Sequence, residues 1–419
     1  MTSFKSPVWI HPRLRRRDLL IGMAAAGGVA ALTSFGVQKL IDRPEEPTAQ
    51  KIPFWDVHQA GVTTPQPAAA VFVAFDVIAL TKSDLVRLMK MLTERIELLT
   101  QGWNPPSQDP RFPPLDSGIS GTEVKPDRLS ITVSVGASLF DHRFGLAHLK
   151  PKFLQPMPNY RNDQLDPAFT HGDLLLQFNA NQPQTCLHAV RDILKNIPDL
   201  LTIRWKMDGF LPPNTVRHLG KESIRNLLGF KDGTANLDAS DQNLMERVVW
   251  VQANRGEPTW ATGGTYLVVR IIRNLVERWD RTPLGEQEQI FGRYKASGAP
   301  LGEKNEHDPL NYSKDPEGKQ IPLNSHIRLA NPRKSESDLI LRRYYAYSGD
   351  ATPNGQLNQG LLFSCFQANL ETGFIAAQKR LTGAPLDEYI KPTGGGFFYV
   401  LPGVTAKDNY LGQSLLEAA

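Results

Sequence analysis

The sequence predicts an α+β fold of two βαββαβ halves, each an antiparallel sheet with helices on one face. Three observations lead there. Four segments pair a short apolar strand with a helical repeat, further strand-like runs lie between them, and 419 residues suffice for two globular units or one fused double unit.

The chain begins with a segment unlike the rest. Arg15-Arg16-Arg17-Asp18-Leu19-Leu20 precedes an uncharged run from Ile21 to Gln38, rich in Ala and Gly, as in a secretion signal. Arg16-Arg17-x-Leu-Leu fits the twin-arginine type, whose pathway exports folded proteins, so an extracytoplasmic location, periplasm or cell surface, is expected. A membrane anchor is the weaker reading, because the run is barely long enough and rich in small residues. Ala49-Gln50 is the best of the poor cleavage sites. Residues 40 to 69 carry five prolines and read as a linker. The expected organisation is signal and linker over 1–50, an N-terminal half over 51–225 and a C-terminal half over 226–419.

The first unit sets Val71 to Ile78 before a helix from about Lys82 to Thr100, with Leu85, Leu88, Leu92, Ile96 and Leu99 at helical spacing. Thr81 or Ser83 is its cap. In the second, Leu174 to Ala180 precedes a helix presenting Leu187, Val190, Leu194 and Ile197. The third places Thr265 to Val269 before Ile272, Leu275, Val276 and Trp279, and the fourth places Gly360 to Gln367 before Phe374, Ala377 and Leu381. Strand-like runs at Leu129 to Val135, Leu201 to Met207, Val248 to Gln252, Leu339 to Tyr345 and Gly396 to Leu401 complete the set. Phe178-Asn179-Ala180-Asn181 and Phe366-Gln367-Ala368-Asn369 form a faint internal echo. Asp280 to Pro332 shows no clear period, and a loop that long inside a compact domain is usually functional.

Composition narrows the function. The chain is 41% hydrophobic with a net charge of +4, and seven Lys/Arg against four Asp/Glu in residues 1 to 50 supply +3 of that charge. The remainder is nearly neutral, which excludes the electrostatic footprint of a nucleic-acid binder. Two cysteines, Cys186 and Cys365, 179 positions apart, give neither a disulfide framework nor a zinc site.

Three places could carry chemistry. His326, at the end of the long loop, is a candidate haem ligand through a neutral imidazole; the other eight histidines take a structural reading. Asp232 sits in Gly229-Phe230-Lys231-Asp232-Gly233-Thr234, either an ordinary Asp-Gly turn or a carboxylate aimed at a ligand and able to shuttle a proton. Arg342 and Arg343 lie on a strand whose successive side chains alternate faces, so one of them can face a pocket and stabilise developing negative charge.

These segments, with Gly263-Gly264-Thr265-Tyr266, Ser325-His326-Ile327-Arg328, Gly360-Leu361-Leu362-Phe363 and Gly394-Gly395-Gly396-Phe397-Phe398, resemble the dye-decolorizing (DyP-type) haem peroxidases. Within them the likeness is to the twin-arginine-exported deferrochelatase/peroxidase group of bacterial iron-uptake operons. It covers roughly residues 68 to 404 plus the signal. The resemblance implies ferredoxin-like halves of the dimeric α+β barrel type and a haem b bound by the C-terminal half. It implies His326 as axial iron ligand, Asp232 as acid/base, Arg342 as the pocket arginine with Arg343 as the alternative register, and Gly233, Thr234, Arg328 and Phe363 as cofactor contacts. A late carboxylate, Glu388 with Asp387 second, would accept the imidazole N–H. Tyr344 stands where the family commonly has glycine, and electrons from bulky donors would enter through surface aromatics such as Tyr344, Tyr345 or Tyr347. Implied partners are hydrogen peroxide, a reducing organic substrate, proteins of an iron-uptake system and a second copy in a homodimer. Removal of iron from haem with the tetrapyrrole intact, and non-catalytic haem delivery, are the competing activities.

Overall fold

The structure is a computed structural model that describes residues 47–213, 223–332 and 336–419. The twin-arginine segment lies outside the described residues. From Glu45 onward the chain forms one compact unit.

The first half runs β1 (Ala69–Val77), α1 (Lys82–Gln101), β2 (Ser130–Gly136), β3 (Leu174–Ala180), α2 (Pro183–Asn196) and β4 (Leu201–Phe210). Thr81 caps α1 by accepting from the Asp84 amide at 3.1 Å. All five apolar residues read from the α1 repeat are buried. In α2, Val190 and Ile197 are buried as read and Leu194 packs against the core, joined by Cys186, Ala189 and Ile193, while Leu187 is exposed.

A small hairpin, β5 (Ile224–Arg225) with β6 (Lys231–Asp232), and α3 (Gln242–Val248) lead to the second half. That half holds β7 (Thr265–Asn274), α4 (Val276–Trp279), α5 (Leu284–Phe291), α6 (His326–Ala330), β8 (Leu341–Ser348), β9 (Gln359–Gln367), α7 (Ala376–Leu381) behind a π-helical turn at Glu371–Ile375, and β10 (Ile390–Val400). A last helix, α8, spans Gln413–Glu417. Two expectations fail here. β7 runs on to Asn274 because Ile271 and Ile272 pair with both flanking strands, which leaves the predicted helix as the single turn α4. The Val248–Gln252 run is the end of α3 and the turn that follows it, largely buried without joining the sheet. The expected linker is docked from Phe54 onward, with Gln59 Nε2 donating to the carbonyls of Val133 and Leu401 at 2.8 Å each.

The strands close into one barrel in the order β1-β3-β2-β10-β7-β9-β8-β4, with antiparallel ladders throughout the described residues. Read from either half, the order is fourth, first, third, second strand, as a βαββαβ sheet requires. The halves meet along two short seams, three residue pairs between β2 and β10 and one between β4 and β8. Alternation along β1 sorts the core: Ala70, Phe72 and Ala74 pack inside the barrel with Leu175, Tyr345 and Phe398, while Val71, Val73 and Phe75 pack under α1 and α2. The sequence echo falls on the third strand of each half, β3 and β9. It does not keep register, since Phe178 packs on the helix side and Phe366 inside the barrel.

Candidate active site

On the outer face of the second half, the loop from Asp280 to Pro332 and the β5–β6 hairpin enclose a cavity of two lobes, about 190 and 170 Å³, that share a central lining. Asp232, His326 and Arg342 are in that shared wall, with Phe291, Phe363 and Phe374. The three candidates, spread over 110 positions, are brought together.

His326 is the first residue of α6, after the buried N-cap Ser325, and its ring lies 5.7 Å from that of Phe291. Protein surrounds the imidazole except on its cavity side. Desolvation, with Arg342 adding to it and Asp232 opposing, pushes its pKa down to about 4, so it is neutral with a free lone pair at ordinary pH.

Asp232 closes β6 beside Gly233, whose φ of +94° turns the chain away and leaves open space where a Cβ would stand. Its Oδ1 accepts from Arg342 Nη1 at 3.1 Å. Asn236 holds the arginine's backbone from both sides, accepting from Arg342 N at 2.9 Å and donating to Arg342 O at 2.8 Å. The register of β8 separates the two arginines. Leu341, Arg343, Tyr345 and Tyr347 share one face, with the three apolar members packed in the barrel interior, while Arg342 and Tyr344 line the cavity. Arg343 donates to the Thr64 carbonyl at 2.5 Å and is buried.

Gly233, Thr234 and Phe363 line the cavity. Arg328 does not: its guanidinium is bound to the Asp315 carboxylate and the carbonyls of Asp315 and Ile321, and it stacks over Tyr312. Glu388 is also elsewhere, half exposed in an ion pair with Arg278. Its neighbour Asp387 lines the second lobe, where burial raises its pKa against a hydrogen bond from the Gly383 amide and the charge of Lys391. Tyr344, Tyr345 and Tyr347 are all buried, so none offers a surface entry for electrons.

Several site residues carry no sequence signal of their own. Asn236 is one. Asp163 and Arg270 form an ion pair 1% exposed on each side that lines the second lobe, and Glu306 bonds Lys231 and Thr234 on either side of Asp232. Their partners lie 72 to 107 positions away, beyond any local pattern.

The residues present suit haem. Among the described residues no group of three or more His, Cys, Asp or Glu could hold a bare metal ion. A single neutral histidine can hold iron only where a macrocycle supplies the other ligands, and the apolar phenylalanine walls suit such a ring.

A fused pair of βαββαβ sheets beside a cavity lined by a histidine and an Asp–Arg pair fits a haem peroxidase, and the chain belongs to the Dyp-type peroxidase family. The family's N-terminal model matches residues 59–211 and its C-terminal model residues 223–405. The chain is 53% identical over 412 residues to the deferrochelatase of Yersinia pseudotuberculosis serotype I (strain IP32953), covering 96% of this chain and 95% of that one. It is 54% identical over 409 residues to the deferrochelatase of Escherichia coli O157:H7, covering 96% and 97%. Among solved structures it is similar to a DyP-type peroxidase from Cellulomonas bogoriensis, with a TM-score of 0.79 and 36% identity over 89% of this chain and 99% of that one. It is also similar to ferric DtpA from Streptomyces lividans, with a TM-score of 0.80 and 30% identity over 88% and 98%.

Proposed function

We propose that this haem peroxidase reduces hydrogen peroxide at the expense of an organic donor, with His326 as the residue that would hold the haem iron and Asp232 and Arg342 as the catalytic pair in the same cavity. The observation that carries this reading is the 3.1 Å Asp232–Arg342 bond in the same cavity wall as a neutral His326. Haem, when bound, would supply the redox capacity by which peroxide becomes two waters while two donor molecules each lose one electron and one proton. Asp232 takes the proton from one peroxide oxygen and returns it to the other as the O–O bond breaks. Arg342 fixes the carboxylate and stabilises negative charge on the departing oxygen. Phe291, Phe363 and Phe374 exclude water and strengthen both interactions. Asp387 is the nearer of the two late carboxylates to the cavity and takes the imidazole-orienting role first given to Glu388.

The test is the absorption spectrum of haem-loaded protein before and after one equivalent of peroxide. Wild type should react rapidly, Asp232→Ala and Arg342→Ala should bind haem and react at least about a hundredfold more slowly, and His326→Ala should lose the histidine-ligated spectrum. Wild-type kinetics in Asp232→Ala would sink the assignment.

A second reading is removal of iron from haem with the tetrapyrrole intact, favoured by the name of the relatives at 53 and 54% identity. It is read as porphyrin fluorescence and chelatable iron appearing together without peroxide; absence of both removes it. Arg16-Arg17-x-Leu-Leu supports export in the folded state to the periplasm or cell surface, beside proteins of an iron-uptake system. Replacing both arginines by lysine should leave the protein in the cytoplasm on fractionation, and unchanged export would contradict it.

A further inference from the structure

The loop that presents His326 at its far end also reaches across to the hairpin that carries Asp232. Its contact is Glu306, whose side chain is 10% exposed. Glu306 Oε2 accepts from Lys231 Nζ at 2.6 Å and Oε1 from Thr234 Oγ1 at 2.8 Å. Those residues bracket Asp232 and Gly233. The loop end of the clamp is fixed in turn: Arg293 Nη1 donates to the Glu306 carbonyl at 2.9 Å and to the Gly298 carbonyl at 2.7 Å. Arg225, on the partner strand β5, donates to the carbonyls of Lys295 and Ala296.

The need for a clamp follows from the local chain. Among the described residues β6, two residues long, pairs with β5 alone, and Gly233 at its end brings the conformational freedom of glycine. A two-stranded hairpin of this size does not fix a carboxylate to the few tenths of an ångström that proton transfer needs. Arg342 holds the tip of Asp232; Glu306 holds the side chains on either side of it, Lys231 and Thr234.

We propose that Glu306 is a positioning residue for the peroxide reaction, holding the Asp232 segment in place through Lys231 and Thr234. This rests on the role given to Asp232 above. It also makes one loop position both the Asp232 segment and His326, since Glu306 and His326 stand twenty positions apart on it.

The test uses full-length protein with three variants, Glu306→Ala, Glu306→Gln and Asp232→Ala. In the haem-free chain, amide exchange at residues 231 to 236 should speed up about tenfold or more in Glu306→Ala while the barrel strands stay protected. In haem-loaded protein, kcat/KM for peroxide should fall on the order of tenfold to a hundredfold, with the KM for a small organic donor within about twofold. Glu306→Gln, which keeps an acceptor oxygen, should fall between it and wild type. Wild-type exchange and wild-type kcat/KM in Glu306→Ala would overturn the proposal. Exchange accelerated over the whole chain with haem affinity lost would overturn it too, making Glu306 a residue that holds the fold. Should Asp232→Ala react like wild type, the assigned role of Asp232 falls instead, and the exchange data still decide whether the clamp exists.

Discussion

Arg342 and Arg343 are adjacent in sequence and opposite in fate. Strand alternation made it legible that only one faces a pocket, but not which, because both neighbours on either side are apolar or aromatic. The tie is broken by Asn236, which fixes the backbone of Arg342, and by Thr64, which accepts from Arg343 inside the barrel. Arg342→Met should therefore slow the peroxide reaction at least about a hundredfold, while Arg343→Met should leave it within about threefold and alter stability instead. Stopped-flow rates and urea melts on the two variants separate these outcomes. Glu306 makes a prediction in pH. Burial opposes ionisation of its carboxyl, but hydrogen bonds from Lys231, Ser223 and Thr234 outweigh burial and lower its pKa from 4.5 to about 2. A depressed folded value stabilises the fold above the unfolded pKa, and that stability is lost as pH falls through the folded one. The stability gap between wild type and Glu306→Gln, on the order of 3 kcal/mol at most, should be constant above about pH 5 and close towards pH 2. A gap independent of pH over that range would count against the clamp.

The β5–β6 hairpin shows what an element needs beyond its pattern. Asn226 Oδ1 accepts from the amides of Leu228 and Phe230 at 3.1 and 3.2 Å, and Gly229 between them stands at φ +85°. A Cβ there would lie 2.6 Å from Lys295 Cε. Gly229→Ala should cost about 1–2 kcal/mol through the left-handed backbone alone. It should also slow the peroxide reaction, because Asp232 rides on the same hairpin; an unchanged rate with lowered stability would uncouple hairpin geometry from the chemistry. Long periodic elements were legible in the sequence: α1 lies within a residue or so of its expected limits, and β3 coincides with them. The failures share one cause. Ile271 and Ile272 are apolar within β7, a strand paired on both sides, and a short, largely buried run does not reveal its own period. The same holds for Val248 to Val251, buried at the end of α3.

At the scale of the molecule, the two halves were legible in the sequence pattern, whereas their closure was legible only through the family resemblance. Hydrophobic alternation reports which face is buried, whereas β2–β10 and β4–β8 are backbone pairings that leave little trace in side chains. With only four residue pairs along those seams, the halves are held mainly by the shared barrel interior and by contacts such as Asp163 with Arg270. Asp163 comes from the first half, on the segment between β2 and β3, and also accepts from the Tyr160 amide at 2.9 Å. Arg270 comes from the middle of β7, and the pair lines the second lobe of the cavity. Removing one partner leaves a buried charge without compensation, so Asp163→Ala should destabilise the fold by about 3–5 kcal/mol. Replacing both, Asp163→Leu with Arg270→Met, should recover most of that loss, since two apolar side chains need no partner there. Equilibrium urea unfolding of the haem-free protein measures both. If the double variant is no more stable than the single, the ion pair is not what joins the halves at this point. If it recovers stability yet binds haem more weakly, the charges are retained for the cavity rather than for the fold.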